Sequence, residues 1–271
     1  MSNLFTLNGP AEGDTIVVWF SNGAASAVAW QETLKRYANL CRVVAVNNPV
    51  VEEDPDNIRF AQDVMVWLNQ PLVYWRSRRF PSGSAVEVWE KERAMSFPHG
   101  APCTKHLKRI ARQEYESRHR VDWHVFGFAA EEQERHDDFV LTERSNVLPV
   151  LIEAELSRQD CYERLIAEGV EPPRVYSEGY PNANCIGCVK ATSATYWNLV
   201  RRTRPEIFAQ RAEQSRRLGV KLARYKGQRI FLDELPPDAI GRPLKSMKIE
   251  CGVVCEERPS QRKPRKLEAA E

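Results

Sequence analysis

The chain has 271 residues, 42% of them hydrophobic, enough to bury a sizeable core in one large domain or two small ones. With 39 Lys and Arg against 37 Asp and Glu the formal net charge is +2, so no global field draws the chain to nucleic acid and any basic surface is local. The first residues lack a basic run leading into an apolar one, and nowhere do about 18 apolar residues follow one another, so the sequence reads as a cytoplasmic protein without a membrane span.

In chain order, residues 15–20 (TIVVWF) read as a buried strand. Residues 26–37 (SAVAWQETLKRY) have the apolar spacing of a helix packed on a sheet. Residues 42–46 (RVVAV) are a second strand, 58–68 a second helix and 71–75 (PLVYW) a third strand. A long basic helix is expected over 104–120, and another strand over 123–128 (WHVFGF). After a short apolar segment at 147, a helix is expected from about 158 to 168, then a loop rich in Asn, Gly and Pro, then a largely helical stretch over 195–218 around Pro205. The alternation of strand and helix predicts an α/β fold: a mostly parallel sheet with helices on both faces, binding ligands beyond the carboxyl ends of its strands. The organisation expected is an α/β nucleotide-binding domain over 1–150, a helical cysteine-rich portion over 151–255, and a charged, apolar-poor tail over 256–271 read as disordered.

The join between the first strand and helix is a knot of small and polar residues, Ser21, Asn22, Gly23, Ala24, Ala25 and Ser26. At a helix amino end the first amides have no internal partners and the dipole is positive, so small residues there let a phosphate approach the backbone. Ser21 and Ser26 add hydroxyls, and Gly23 supplies room or a positive φ. A tight turn capped by Ser21 or Asn22 is the plainer alternative. The knot is neither a Walker A loop nor a dinucleotide-binding glycine turn.

Seven cysteines without an export signal argue for thiols or metal ligands rather than disulfides. Cys185 and Cys188 form a Cys-x-x-Cys in the loop, Cys251 and Cys255 form a second close pair, and Cys161 lies on the helix upstream. Zinc takes four thiolates and a [4Fe-4S] cluster three or four, so spacing does not separate them. Cys103 precedes the basic helix and is read as a thiolate of lowered pKa, a cluster ligand or a buried thiol. Cys41 reads as core. Lys105, Lys108 and Arg109 share a helix face suited to an anion, whereas Arg112, Arg118 and Arg120 read as solvated surface. Arg135, beside Glu131 and Glu132, is the candidate anion clamp. The five histidines form no close metal pair, and no Ser/His/Asp set can be assembled. Aromatic and basic residues interleave in YWRSRRF and YWNLVRRTRPEIF, a composition that suits stacking of single-stranded nucleic acid as well as ordinary helix packing.

SNGAASA resembles the phosphate loop of the PP-loop ATP pyrophosphatases, and more closely its relaxed form in the phosphoadenylylsulfate (PAPS) reductase branch of the adenine nucleotide α-hydrolases. NNPVVEEDPDNIRFAQDVMVWL, HGAPCTKHLKR, HVFGFAAEEQERHDDF and the stretch from LPVLIEAELSRQDCYERL to NANCIGCVKA follow in the order seen in that branch, over residues 14–208. Particularly similar are the PAPS reductase-like proteins common in bacteriophage genomes, which would act in the host cytoplasm.

The resemblance implies nucleotide phosphates at residues 21–26, adenine near Asn47 and Asn48, and Glu53 and Asp54 as ribose or metal partners. It favours Lys108 as an anion ligand and a [4Fe-4S] cluster on Cys161, Cys185 and Cys188 with Cys251 or Cys255, zinc remaining the alternative. Where the pyrophosphatases carry Asp, this chain has Ala25, so a carboxylate that would organise Mg²⁺ is missing and the loop is suited to holding phosphate or sulfate without cleaving it. The expected activity is sulfur transfer or reduction with ATP or a PAPS-like nucleotide, on a small molecule or on DNA or RNA, served by an electron or sulfur donor protein. A non-catalytic nucleotide or nucleic-acid binder, and an ATP-dependent DNA- or nucleotide-modifying enzyme with structural zinc, stand as alternatives.

Overall fold

The structure, a computed structural model, describes residues 9–97 and 100–244. His99, Cys251, Cys255 and the tail over 256–271 therefore lie outside the described residues.

A five-stranded, all-parallel sheet forms the centre, in the order β3-β2-β1-β4-β5. Its strands are β1 (Thr15–Trp19), β2 (Arg42–Asn47), β3 (Leu72–Tyr74), β4 (Trp123–Val125) and β5 (Val147–Leu148). Every residue of β1 is buried, as a central strand covered on both faces requires. Alternate side chains enter two different cores. Ile16 and Val18 meet α1 (Ala24–Tyr37), α2 (Asp56–Leu68) and α7 (Arg158–Ala167) through Val28, Phe60 and Leu165. Val17 and Trp19 meet α4 (Ala111–Glu116) and α5 (Gln133–Thr142) through Tyr115 and Phe139. Between β5 and α7 the short α6 (Val150–Glu153) adds Val150 and Leu151 to the first of these cores.

A third core unites α3 (Ala85–Glu92), α8 (Ala194–Thr203) and α9 (Pro205–Arg217) with the loop over 180–191 and with Val50 and Phe80, which follow β2 and β3. A two-stranded hairpin, β6 (Ala223–Tyr225) and β7 (Gln228–Ile230), closes this part. Pro205 at the first position of α9 separates two helices where the sequence suggests one interrupted stretch, because its ring fits a helix start and not an interior.

The expected basic helix differs in kind. Residues Thr104–Ile110 form a π-helix and only Ala111–Glu116 are α-helical, which turns the face on which its cations project. The expected strand over 123–128 ran long at its carboxyl end: β4 stops at Val125 and leaves Phe126, Gly127 and Phe128 as irregular chain. Among the described residues no helix is long and apolar enough to cross a membrane.

Candidate functional site

Strand order reverses at β1, whose neighbours are β2 on one side and β4 on the other, and a crevice opens there beyond the carboxyl ends of the strands. A cavity of about 430 Å³ occupies it. The β1–α1 loop contributes Ser21, Gly23, Ala24, Ala25 and Ser26 to the lining, and the opposite wall contains Lys108, Arg112, Arg135 and Arg158.

Ser26 organises the loop from within. It is buried, and its Oγ accepts from the amides of Ser21 (3.1 Å) and Gly23 (3.4 Å) and donates to the Gly23 carbonyl at 2.9 Å. The Ser21 hydroxyl adds a further bond of 3.1 Å to the same oxygen. Asn22 takes the left-handed turn, with φ of 59°, a conformation Asn tolerates better than most residues. Gly23, expected to supply room or a positive φ, is extended at −111° and gives room, since a Cβ there would lie 3.3 Å from the Tyr176 hydroxyl. That hydroxyl accepts from the first amide of α1, Ala24 N, at 3.3 Å. Gly127 closes the other side: a Cβ on it would stand 2.8 Å from Ser26 N and 3.0 Å from the Ala25 carbonyl carbon. The chain just after β4 thus abuts the loop directly.

Glu53 and Lys108 form a buried pair, with Nζ donating to Oε1 at 3.0 Å and to the Asn48 carbonyl at 2.6 Å. Asn22 Nδ2 reaches the other Glu53 oxygen at 3.4 Å, so the carboxylate joins the phosphate-loop candidate to the basic helix. Asn48 lines the cavity, but Asn47 does not: its amide donates to the Phe20 carbonyl at 2.8 Å and ties β2 to the end of β1. Asp54 also turns away, bonded to Arg174 at 2.8 Å and Arg204 at 3.0 Å. Burial acts to raise its pKa, but the bonds from Arg174, Asp56 N and Arg204 outweigh it and hold the carboxyl below its ordinary value.

The cationic wall is not the one expected from α-helical spacing. Lys108 faces the cavity, whereas Lys105 is exposed and Arg109 points towards Glu143 at 4.0 Å. Arg112, read from sequence as surface, is 4% exposed and lies over Trp19 and Phe126 at 5.9 and 5.5 Å. Arg135 lines the cavity above the Phe128 ring at 5.1 Å and pairs with Glu132. Arg158, on α7, shares that carboxylate at 2.6 Å. Burial works to raise the Glu132 pKa, but the Arg158 hydrogen bond and both guanidinium charges keep it below the usual value. Glu131 accepts from Arg158 N at the start of α7 and is absent from the lining. Sequence reasoning missed Arg112, Arg158, Gly127 and Tyr176. The small-residue break FGF after a strand was the one available signal, for Gly127.

The cysteines divide between cores. Cys188 and Cys103 are buried in the third core and Cys185 packs against it, whereas Cys161 is fully buried among the α1, α2 and α7 side chains. Burial pushes the Cys161 thiol up to about 12. The structure thus places Cys161 in a different core from Cys185 and Cys188. Cys103 lies at the start of the π-helix but outside the cavity lining. Between Cys185 and Cys188, Gly187 has φ of +70°, and a Cβ there would meet Ile207 and Arg211 of α9 at 3.0 and 3.2 Å. Cys188 N donates to the Tyr196 hydroxyl at 2.9 Å. Among the described residues no three His, Cys, Asp or Glu side chains are grouped to hold a metal ion. Two thiols on one tight turn fit a soft metal centre in part, and Cys251 and Cys255, which would complete it, lie outside the described residues.

Cavity and cysteine turn share a wall. Asn182, Ala183 and Asn184 line the cavity and run directly into Cys185. Asn57 Nδ2 holds the Ala183 carbonyl at 2.9 Å, and Ile186 N donates to the Glu52 carbonyl at 3.1 Å. The segment after β2 therefore braces both, through Glu53 on the loop side and Glu52 on the cysteine side. No protein-family model matches this chain, and no curated protein matches it.

Proposed function

We propose that the protein binds an adenine nucleotide in the β1/β4 crevice and acts in sulfur transfer or reduction, as a PAPS reductase-like member of the adenine nucleotide α-hydrolases. One observation carries the reading: the small-residue β1–α1 loop lines a single cavity together with Lys108, Arg112, Arg135 and Arg158. Helix-start amides opposite four cations are suited to a ligand with several anionic oxygens, and a neutral metabolite has no use for them. Lys108 and Arg112 would meet the phosphates or sulfate, Arg135 and Arg158 would close over them, and Asn48 and Val46 would border the base.

The continuity of the cavity wall with Cys185 supports the sulfur half of the proposal. A [4Fe-4S] cluster on Cys185, Cys188, Cys251 and Cys255 would supply electrons or sulfur, with zinc as the alternative occupant; Cys161 is left out of this set. Both carboxylates lining the cavity, Glu53 and Glu132, are bonded to cations, and residue 25 is Ala. That favours holding the nucleotide over cleaving it to pyrophosphate, and it keeps a nucleotide-binding role without catalysis as the second reading. Calorimetric titration with ATP and a PAPS-like nucleotide, on anaerobically prepared protein assayed for iron, sulfide and zinc, tests both halves. Saturable binding with iron and sulfide supports the proposal; no binding of either nucleotide defeats it. Pyrophosphate release then separates enzyme from binder.

A further inference from the structure

The two aromatic and basic stretches of the sequence have different fates. In the second, Tyr196 and Trp197 are buried, Arg201 bonds the carbonyls of Leu232 and Leu235, and Arg204 pairs with Asp54 and Glu178. That stretch is spent on packing. The first buries Ser77 and Phe80 but leaves Tyr74, Arg76, Arg78 and Arg79 exposed. Trp75, directly after β3, is half-buried against Tyr115 and His119, whose ring centroids each lie 5.3 Å from its own.

Three arginines lie on the segments that meet at this indole, Arg76 with its guanidinium turned to the Pro81 carbonyl at 3.5 Å. Arg118 lies over it at 5.7 Å, Arg76 is its chain neighbour, and the Arg78 backbone is fastened to α4 by its amide donating to Glu114 at 2.9 Å. All three are exposed, and among the described residues none forms a salt bridge. Their neighbours Arg79 and Arg120, by contrast, are matched to Glu92, Asp14 and Asp122. In a chain with a net charge of only +2, three exposed arginines without salt bridges on adjoining segments, with Glu114 the carboxylate bonded among them, are a local basic feature. The patch also adjoins the crevice: Trp75 O accepts from Asn48 Nδ2 at 2.9 Å, and Asn48 lines the cavity.

We infer that this surface binds single-stranded nucleic acid, with a base stacked at Trp75 and flanking phosphates on Arg76, Arg78 and Arg118. An indole beside guanidinium groups offers a π-face and phosphate partners together, which a splayed strand uses and a duplex, with its base faces hidden, does not. The strand would pass the mouth of the crevice. The inference is separate from the nucleotide reading, since none of the three arginines lines the cavity.

The test is fluorescence anisotropy of a labelled oligo-deoxythymidine with the full chain, begun at about 50 mM salt and repeated across a salt series. Expected is saturable binding that R78E/R118E weakens at least about tenfold, with the slope of log K against log salt reduced by about 1.4 for two lost phosphate contacts. R202E, which reverses an exposed charge on α8, should leave strand affinity unchanged; thermal melting checks that each variant is folded. The inference is overturned if the wild type does not bind, if R78E/R118E binds as tightly as the wild type, or if a duplex or polyglutamate competes as well as the single strand. If ATP fails to bind while the strand binds, only the pocket reading falls.

Discussion

Gly127 stands so close to Ser26 that a single added methyl would lie 2.8 Å from the Ser26 amide nitrogen. The contact is backbone against backbone, so neither side can move aside as a flexible side chain would. Gly127→Ala should therefore cost about 1 to 3 kcal/mol, the usual penalty for overpacking. Urea denaturation measures the loss, and nucleotide affinity should fall with it because the displaced loop is the proposed phosphate site.

Ser26 and Ser21 are alike in sequence and unlike in structure. Removing the Ser26 hydroxyl strands the amides of Ser21 and Gly23, so Ser26→Ala should lower stability by about 1 to 2 kcal/mol and weaken ATP binding about tenfold or more. Ser21 is exposed and gives only one hydroxyl to the network, so Ser21→Ala should cost little stability. Equal effects from the two would contradict the organising role of Ser26.

Lys108 and Glu53 depend on each other. Lys108→Met leaves a mostly buried carboxylate with only a long bond from Asn22, and should destabilise the fold by about 3 kcal/mol. Lys108→Met combined with Glu53→Gln should recover part of that loss, a coupling read from a double-mutant cycle. Nucleotide binding should stay impaired in both, since the cation is absent from each.

His124 gives the fold a pH dependence. Its Nδ1 accepts from the Trp19 indole at 3.0 Å, and burial, then the charges of Arg144 and Arg112, push its pKa down to about 3. The folded-state pKa lies below the unfolded one of about 6.5, so this contribution is complete above that pH and is lost as pH falls from there towards 3. Urea midpoints should drop between about pH 6.5 and 5, and His124→Gln should remove most of that slope. A slope unchanged by the substitution would assign it to other groups.

The sheet was legible because buried parallel strands are nearly uniform in hydrophobicity: TIVVW and RVVAV could be read without tertiary knowledge. The β1–α1 turn was legible because small polar residues between an apolar run and a helical pattern mark a strand-to-helix join. The cationic wall was only half legible. Lys108 and Arg135 were named, but Arg112 was set aside as solvated surface although, four residues after Lys108, it falls on the same helix face. Arg158 and Tyr176 sit far along the chain from the loop they face, and no local pattern announces a long-range contact. Cys161 was grouped with Cys185, although α7 carries it into the core built on α1 and α2 and Cys185 packs against the core of α3, α8 and α9.

The most direct measurement is the crystal structure of the anaerobically prepared protein with an adenine nucleotide bound. The account predicts phosphate oxygens at the amides of Gly23 to Ser26, within reach of Lys108 and Arg112, and a metal centre on Cys185 and Cys188. Nucleotide density away from the β1/β4 crevice, with the β1–α1 loop empty, would contradict it.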